Sequence, residues 1–243
     1  MSFLKGYNVL DLASVGPAAR ASRILADYGM NIIKVAPVAA KGAKQIDPVF
    51  HAYGAGRGTQ KIRVDLKSEE GKQAILRLAK SVDVVIESYR PGVAARLGVG
   101  YEDLKKANPK IVYCSTSGYG QDGPYAQWVG HDINYLALSG VASYTSRAES
   151  GPLPLGVQVA DIAGGSLHGV VGLLAAVVQR QVTGQGQQVD ISMTDCAFSL
   201  NAMAGAGYLA AGEEPQMQGN ALNGGSFYDY YASRDGQWFA VGS

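Results

Sequence analysis

Two short stretches of this chain carry residue types able to move a proton. Gly130-His131-Asp132-Ile133-Asn134-Tyr135 sets an imidazole among small and amide-bearing neighbours, and Asp161-Ile162-Ala163-Gly164-Gly165-Ser166 sets a carboxylate among small ones. Histidine titrates near neutrality and a carboxylate is a base there, so the two can serve as acid and base on one substrate carbon. The second stretch opens an apolar run, residues 167–182, which reads as a buried helix. Asp161 then falls at the helix N-terminus, where partial positive charge favours its ionised form. A carboxylate so placed is either a helix cap or a reagent, and a lone histidine is more often a structural hydrogen bonder than a catalyst. His51 and His168 lack such neighbours: His51 reads as a loop residue and His168 as a packed one.

Groups of this kind need a scaffold, and the apolar runs supply one. Residues 7–12 form a strand bounded by Gly6 and Gly16; Pro17 suits a first helical turn, and a helix over 18–28 stops at Gly29. Strands follow at 31–35 and 61–66, then a helix capped by Ser68 and running to Lys80. A fourth strand lies at 83–86, Pro91 opens a short helix, and a fifth strand lies at 111–115. Strands alternating with helices imply a parallel sheet covered on both faces. The expected class is therefore α/β, a Rossmann-like parallel sheet with flanking helices over residues 1–200. A linker and the start of a smaller domain are expected over 201–243. The first strand is followed by Ala13-Ser14-Val15-Gly16-Pro17 rather than Gly-x-Gly-x-x-Gly, so a nicotinamide cofactor is not supported. Beyond Gly120 the pattern loosens into a loop with Gly123-Pro124 as its turn. A helix over 161–183, a strand over 188–192 and a single helix over 195–211 follow. A hairpin of 227–232 and 237–241 turns at Arg234-Asp235-Gly236. The sequence stops on that second hairpin strand, which suggests a fragment.

Lys and Arg number 21 against 20 Asp and Glu, so no global field recommends a nucleic acid or a membrane surface as partner. Two cysteines, Cys114 and Cys196, make no disulfide scaffold, and no ligand cluster suggests a metal site. No signal peptide is expected ahead of Leu4, and residues 167–182, interrupted by Gln179 and Arg180, are read as too short for a membrane span. A soluble, cytoplasmic setting is the resulting expectation. The 32 glycines imply close backbone packing, within the chain or against another. Met193, Phe198, Met203 and Tyr208 either line an apolar pocket or belong to the core, core being the simpler reading.

Six motifs in a fixed order carry a resemblance. They are Asp11-Leu12 through Gly16-Pro17; Val64-Asp65-Leu66-Lys67; Glu87-Ser88-Tyr89-Arg90-Pro91-Gly92; Ser117-Gly118-Tyr119-Gly120 with Gly123-Pro124; Gly130-His131-Asp132-Ile133-Asn134-Tyr135; and Thr183-Gly184-Gln185-Gly186-Gln187. From Leu4 to Ser243 the chain resembles the family III CoA-transferases (CaiB/BaiF-like), a group that includes alpha-methylacyl-CoA racemases. The resemblance implies a Rossmann-like domain that binds coenzyme A, an interlocked homodimer, and an acyl-CoA substrate. Coenzyme A enters as part of that substrate, with no covalently bound cofactor. Asp161 falls on the family's catalytic aspartate, which in the transferases attacks the acyl-CoA and passes through anhydride and aspartyl-thioester intermediates. In the racemases that aspartate works opposite a histidine, and His131 falls on its position. Transferases mostly place an aromatic residue there, so His131 favours a 2-methylacyl-CoA racemase acting through an enolate. The alternatives are a CoA-transferase with Asp161 as nucleophile and a non-catalytic CoA-binding remnant.

For coenzyme A, Lys67 and Arg96 match basic residues that the family uses for the nucleotide. Ser88, Tyr89 and Arg90 follow a strand's carboxyl end, where open sheets bind ligands. Arg57, with Lys61 near it in sequence, completes the candidate set. Two departures stand out. Ala36 in Lys34-Val35-Ala36-Pro37 occupies a place that is commonly acidic in the family. The glutamate that supports the racemase histidine would fall beyond Ser243, so the 243-residue chain alone is expected to be weakly active or inactive.

Overall fold

The computed structural model describes residues 2–13, 15–38 and 56–242; His51 lies outside them. Its first half alternates strand and helix as the apolar runs require: β1 (Asn8–Asp11), α1 (Gly16–Asp27), β2 (Asn31–Ala36), β3 (Gln60–Arg63), α2 (Glu69–Ala79), β4 (Val84–Glu87), α3 (Val93–Arg96), α4 (Tyr101–Ala107) and β5 (Val112–Ser117). Then come α5 (Asp132–Leu138), a π-helical turn (Ala160–Leu167) continuous with α6 (His168–Thr183), β6 (Gln187–Ser192), α7 (Met193–Leu200), α8 (Ala204–Ala211), β7 (Asp229–Ala232) and β8 (Trp238–Val241).

Six strands form one parallel sheet in the order β3-β2-β1-β4-β5-β6, and β7 pairs antiparallel with β8 apart from it. This is the doubly wound arrangement, with its topological switch between β1 and β4. Successive side chains point to opposite faces. Val9, Val84, Ile86, Val112 and Cys114 meet α1 and α6 through Leu25, Val170, Leu173 and Val177. Leu10, Val85 and Tyr113 meet Ile75, Ala79 and Leu104 from α2 and α4. Burial on both faces is why these strands read as continuous apolar runs rather than alternating ones. At the carboxyl end of β1, the buried Asp11 pairs with the buried Lys34 and accepts from the Ser22 hydroxyl and the Ala13 N–H at 2.8 Å. Every partner of that charge is internal, as a buried ion pair requires.

Several expectations change. The third strand is Gln60–Arg63, shorter and earlier than 61–66. Ser68 caps α2 as expected, its hydroxyl accepting from Gly71 N–H at 3.0 Å. α4 was hidden in a short charged segment, although Glu102 and Asp103 open it and Lys105 and Lys106 close it, as the helix dipole favours. α5 interrupts the stretch expected to be loop. The helix expected over 195–211 is two, broken at Asn201, whose side-chain oxygen accepts from Gly205 N–H at 3.1 Å and from the Tyr144 hydroxyl. A side chain that competes for backbone donors in this way ends a helix. The long helix is buried on one face only, and Val171, Val178 and Val182 stand exposed. With its π turn it spans Ala160–Thr183, 24 residues, long and apolar enough by length and composition alone to cross a membrane, which corrects the shorter estimate from 167–182.

Candidate active site

The chain enters each strand from one side and leaves it at the carboxyl edge, so the loops there collect reactive residues. His131 ends the loop that leaves β5 and caps α5; the Asn134 side chain accepts from its N–H at 2.9 Å. Asp161 lies in the first turn of the π helix, which comes to the same edge before α6 descends to β6. Asp132 joins the two: this buried carboxylate accepts the Asp161 N–H at 3.0 Å. The Gln158 side-chain amide donates to the Asp161 carboxylate at 3.1 Å.

The surroundings of Asp161 act against the helix terminus, which favours the ionised form. Burial pushes its carboxyl above the usual aspartate range, the Asp132 charge pushes the same way, and His131 pulls it down. Desolvation and a like charge outweigh the partial charge of a helix end. The result is a stronger base than a solvated aspartate, at the same sheet edge as the exposed His131.

The π turn itself is wedged in place. Ser166 donates to the Pro17 carbonyl at 2.9 Å, and a Cβ on Gly165 would stand 2.6 Å from the Pro17 ring, so only glycine lets this turn sit against α1. An irregular helical turn of this type commonly marks a functional position. His168 is structural, as expected: Nδ1 lies 2.7 Å from the Ala163 carbonyl and Nε2 lies 3.2 Å from the Ser199 hydroxyl. Met193 is buried beside the π turn, whereas Phe198, Met203 and Tyr208 are exposed and do not belong to the core.

Behind His131 the loop from β5 builds an aromatic wall. Tyr119 meets Tyr135 edge-on with ring centres 5.2 Å apart and Tyr125 at 6.0 Å, and Tyr125 meets Trp128 at 4.5 Å. The Gln121 N–H donates to Asp190 at 2.8 Å, and the Gln127 side chain donates to the Pro91 carbonyl at 3.3 Å, which pins this loop to β6 and to the turn after β4.

That turn holds Ser88, Tyr89 and Arg90 at the switch point, with Ser88 and Arg90 exposed. The Tyr89 N–H donates at 2.6 Å to Glu87, a buried carboxyl whose pKa burial pushes up. Lys67 and Arg96 come together with Lys72 around one open groove of about 490 Å³, beside Glu69 and Asp103. Arg57 does not join them. It precedes β3 at the opposite, amino edge of the sheet, where its guanidinium lies 3.4 Å from Asp27 at the end of α1. Proximity in sequence to Lys61 did not carry it to the carboxyl edge. Asp132, Tyr135 and Gln158 had no separate role in the sequence reading. An acid directly after the histidine was the available signal for Asp132; nothing in the sequence marked Gln158.

A doubly wound parallel sheet with an imidazole and a carboxylate of raised pKa at its carboxyl edge defines an α/β protein with acid–base residue types gathered at the strand ends. The chain matches CoA-transferase family III over residues 4–243 and belongs to that family. It is 36% identical to alpha-methylacyl-CoA racemase of Homo sapiens over 243 residues, covering 99% of this chain and 61% of that protein. It is 34% identical to succinate–glutarate CoA-transferase of Agrobacterium fabrum, covering 96% and 61%. Among solved structures it is similar to a CaiB/BaiF family protein from Brucella suis, with a TM-score of 0.85, 32% identity, and coverage of 98% of this chain and 65% of that one. The chain thus spans about three fifths of the curated relatives it matches.

Proposed function

We propose that this chain carries the active site of a 2-methylacyl-CoA racemase, in which His131 and Asp161 exchange the proton on the carbon next to the thioester. The observation that carries the reading is the pair itself: an exposed imidazole and a half-buried aspartate of raised pKa, joined through Asp132. One member removes the α-proton, leaving an enolate, and the other returns a proton to the opposite face, so the carbon inverts with no net gain or loss of atoms. Stabilising the enolate oxygen falls to the positive end of the helix that opens at Ala160. Coenzyme A enters as part of the substrate, with Ser88, Tyr89 and Arg90 at the switch point and Lys67 and Arg96 in the groove as its contacts. The same reading has the chain working as a homodimer.

A second reading has support of its own. The chain is nearly as similar to a succinate–glutarate CoA-transferase as to a racemase, and a partly desolvated carboxylate is also a competent nucleophile. Proton NMR of a 2-methylacyl-CoA in deuterated water separates the two. The expected result is loss of the α-proton signal without an acid acceptor, slowed roughly 10²- to 10⁴-fold in His131→Ala or Asp161→Asn. Transfer of coenzyme A to an added carboxylate, with no exchange, would replace the racemase reading by Asp161 as nucleophile. Binding of coenzyme A by a folded chain with neither reaction would leave a CoA-binding remnant.

A further inference from the structure

The His131 ring stands exposed, so what places it is the backbone beneath it. Two residues hold that backbone. Asn134 does so locally, within the cap of α5. Tyr135 does so from the wall: its hydroxyl donates to the Gly130 carbonyl, the peptide that leads into His131, at 2.6 Å.

The Tyr135 ring is only 5% exposed and packs in one apolar cluster with Leu136, Ala160, Met193 and Ala197. Ala160 is the residue before Asp161. One side chain therefore binds the loop of His131 by a hydrogen bond and shares an apolar cluster with the turn of Asp161. Two glycines are the imprint of this ring. A Cβ on Gly118 would lie 2.5 Å from its edge, and one on Gly130 would lie 2.7 Å from its edge and 2.6 Å from the Tyr119 hydroxyl. The glycines beside Tyr119 and before His131 are thus accounted for by what they make room for. Burial pushes the Tyr135 phenol up to about 12, with Tyr119, Asp161 and Asp132 acting in the same direction, so it remains a donor throughout the neutral range. Its proton is committed to a carbonyl, which leaves it no direct part in the chemistry.

We propose that Tyr135 is the positioning residue of the site: its bond to the Gly130 carbonyl sets where the His131 imidazole stands relative to Asp161. This rests on the proton-transfer reading above. Tyr135→Phe removes the hydroxyl and keeps the ring. In the 243-residue chain labelled with ¹³C-histidine, the His131 Cε1–H resonance is expected to shift and broaden, with that of His168 unchanged. The kcat of α-proton exchange is expected to fall roughly 10- to 100-fold, as misplacement of a reacting group does, with KM held within about twofold. Tyr113→Phe is the control, since it also loses a buried hydroxyl bonded to a carbonyl, that of Val99 at 3.3 Å, but on the other face of the sheet. It is expected to leave the His131 resonance in place. An unmoved His131 resonance in Tyr135→Phe, or a raised KM with kcat intact, overturns the proposal. Transfer of coenzyme A to an added carboxylate with no exchange would remove the racemase reading, and the His131 resonance decides the role of Tyr135 even where the parent chain exchanges no α-proton. Should Tyr135→Phe not fold, Gly130→Ala opens the same bond by pushing against the ring, and an unmoved His131 resonance there overturns the proposal equally.

Discussion

Residues before and after Asn201 are held together by different forces. From β1 to α7, a core of large apolar side chains packs on both faces of the sheet, with Val171, Val178 and Val182 of α6 left exposed. After Asn201 they face outward: Leu209 is 71% exposed and Trp238 72%, and Gly205 is the one buried residue of α8. What fixes the hairpin is polar. Arg147 pairs with Asp229 and donates to Asn223 at 3.1 Å, and the Asn223 side chain donates to the carbonyls of Tyr144 at 2.8 Å and Ser146 at 2.9 Å. An open groove of about 1150 Å³ lies among the 144–156 loop, α8 and the hairpin, and His131 does not line it. Apolar burial is worth more than exposed ion pairs and hydrogen bonds. The proposed acid–base pair is built on the first kind of structure and owes little to the second, whose large apolar side chains are exposed.

The contrast can be broken by measuring its two sides. Leu173→Ala, in the layer between α6 and the sheet, is expected to cost about 2–5 kcal/mol in chemical denaturation, the range for a fully buried leucine. A smaller value would mean that the sheet region is not the stable part. Asp132→Asn sharpens the account of the site. It removes a negative charge that raises the Asp161 pKa, so that pKa must fall. In the proposed proton transfer Asp161 is the base when ionised, so the acidic limb of the exchange rate is expected to move to lower pH. Stability follows the same sign: a carboxyl raised in the fold loses stability as pH rises from 3.8 through its folded value, and the variant should lose less. A limb that stays put or moves up would remove Asp132 from the electrostatics of the site. Trp238→Ala in the hairpin is expected to change stability by less than about 0.5 kcal/mol. A cost equal to that of Leu173→Ala would erase the distinction between the two regions.

The sheet was legible because strands buried on both faces leave unbroken apolar runs, as Val84-Val85-Ile86 does. β3 was displaced because its residues alternate and lie near the surface, where the pattern is weak. His131 and Asp161 were legible as residue types within motifs, and the structure brings both to one edge. Their coupling was not, because it passes through Asp132 to a backbone N–H that no side-chain pattern encodes. Nor was the π turn, since it depends on how closely Gly165 meets Pro17, residues far apart in the sequence. Arg57 shows the converse error. Residues close in sequence were grouped together, although a strand separates the two edges of a sheet.

The strand order sets a schedule for synthesis. β1 is made first but sits in the middle of the sheet, and one of its two neighbours, β4, comes much later; the Asn8 N–H finds its partner in Asp83, 75 positions on. At roughly 5–20 residues per second, on the order of 4–15 s separate the two on the ribosome. Throughout that interval one side of β1 is an open ladder of donors and acceptors, available to any other extended segment. The nascent chain is therefore most in need of protection early, before β4 emerges, and well before either reactive residue has been translated.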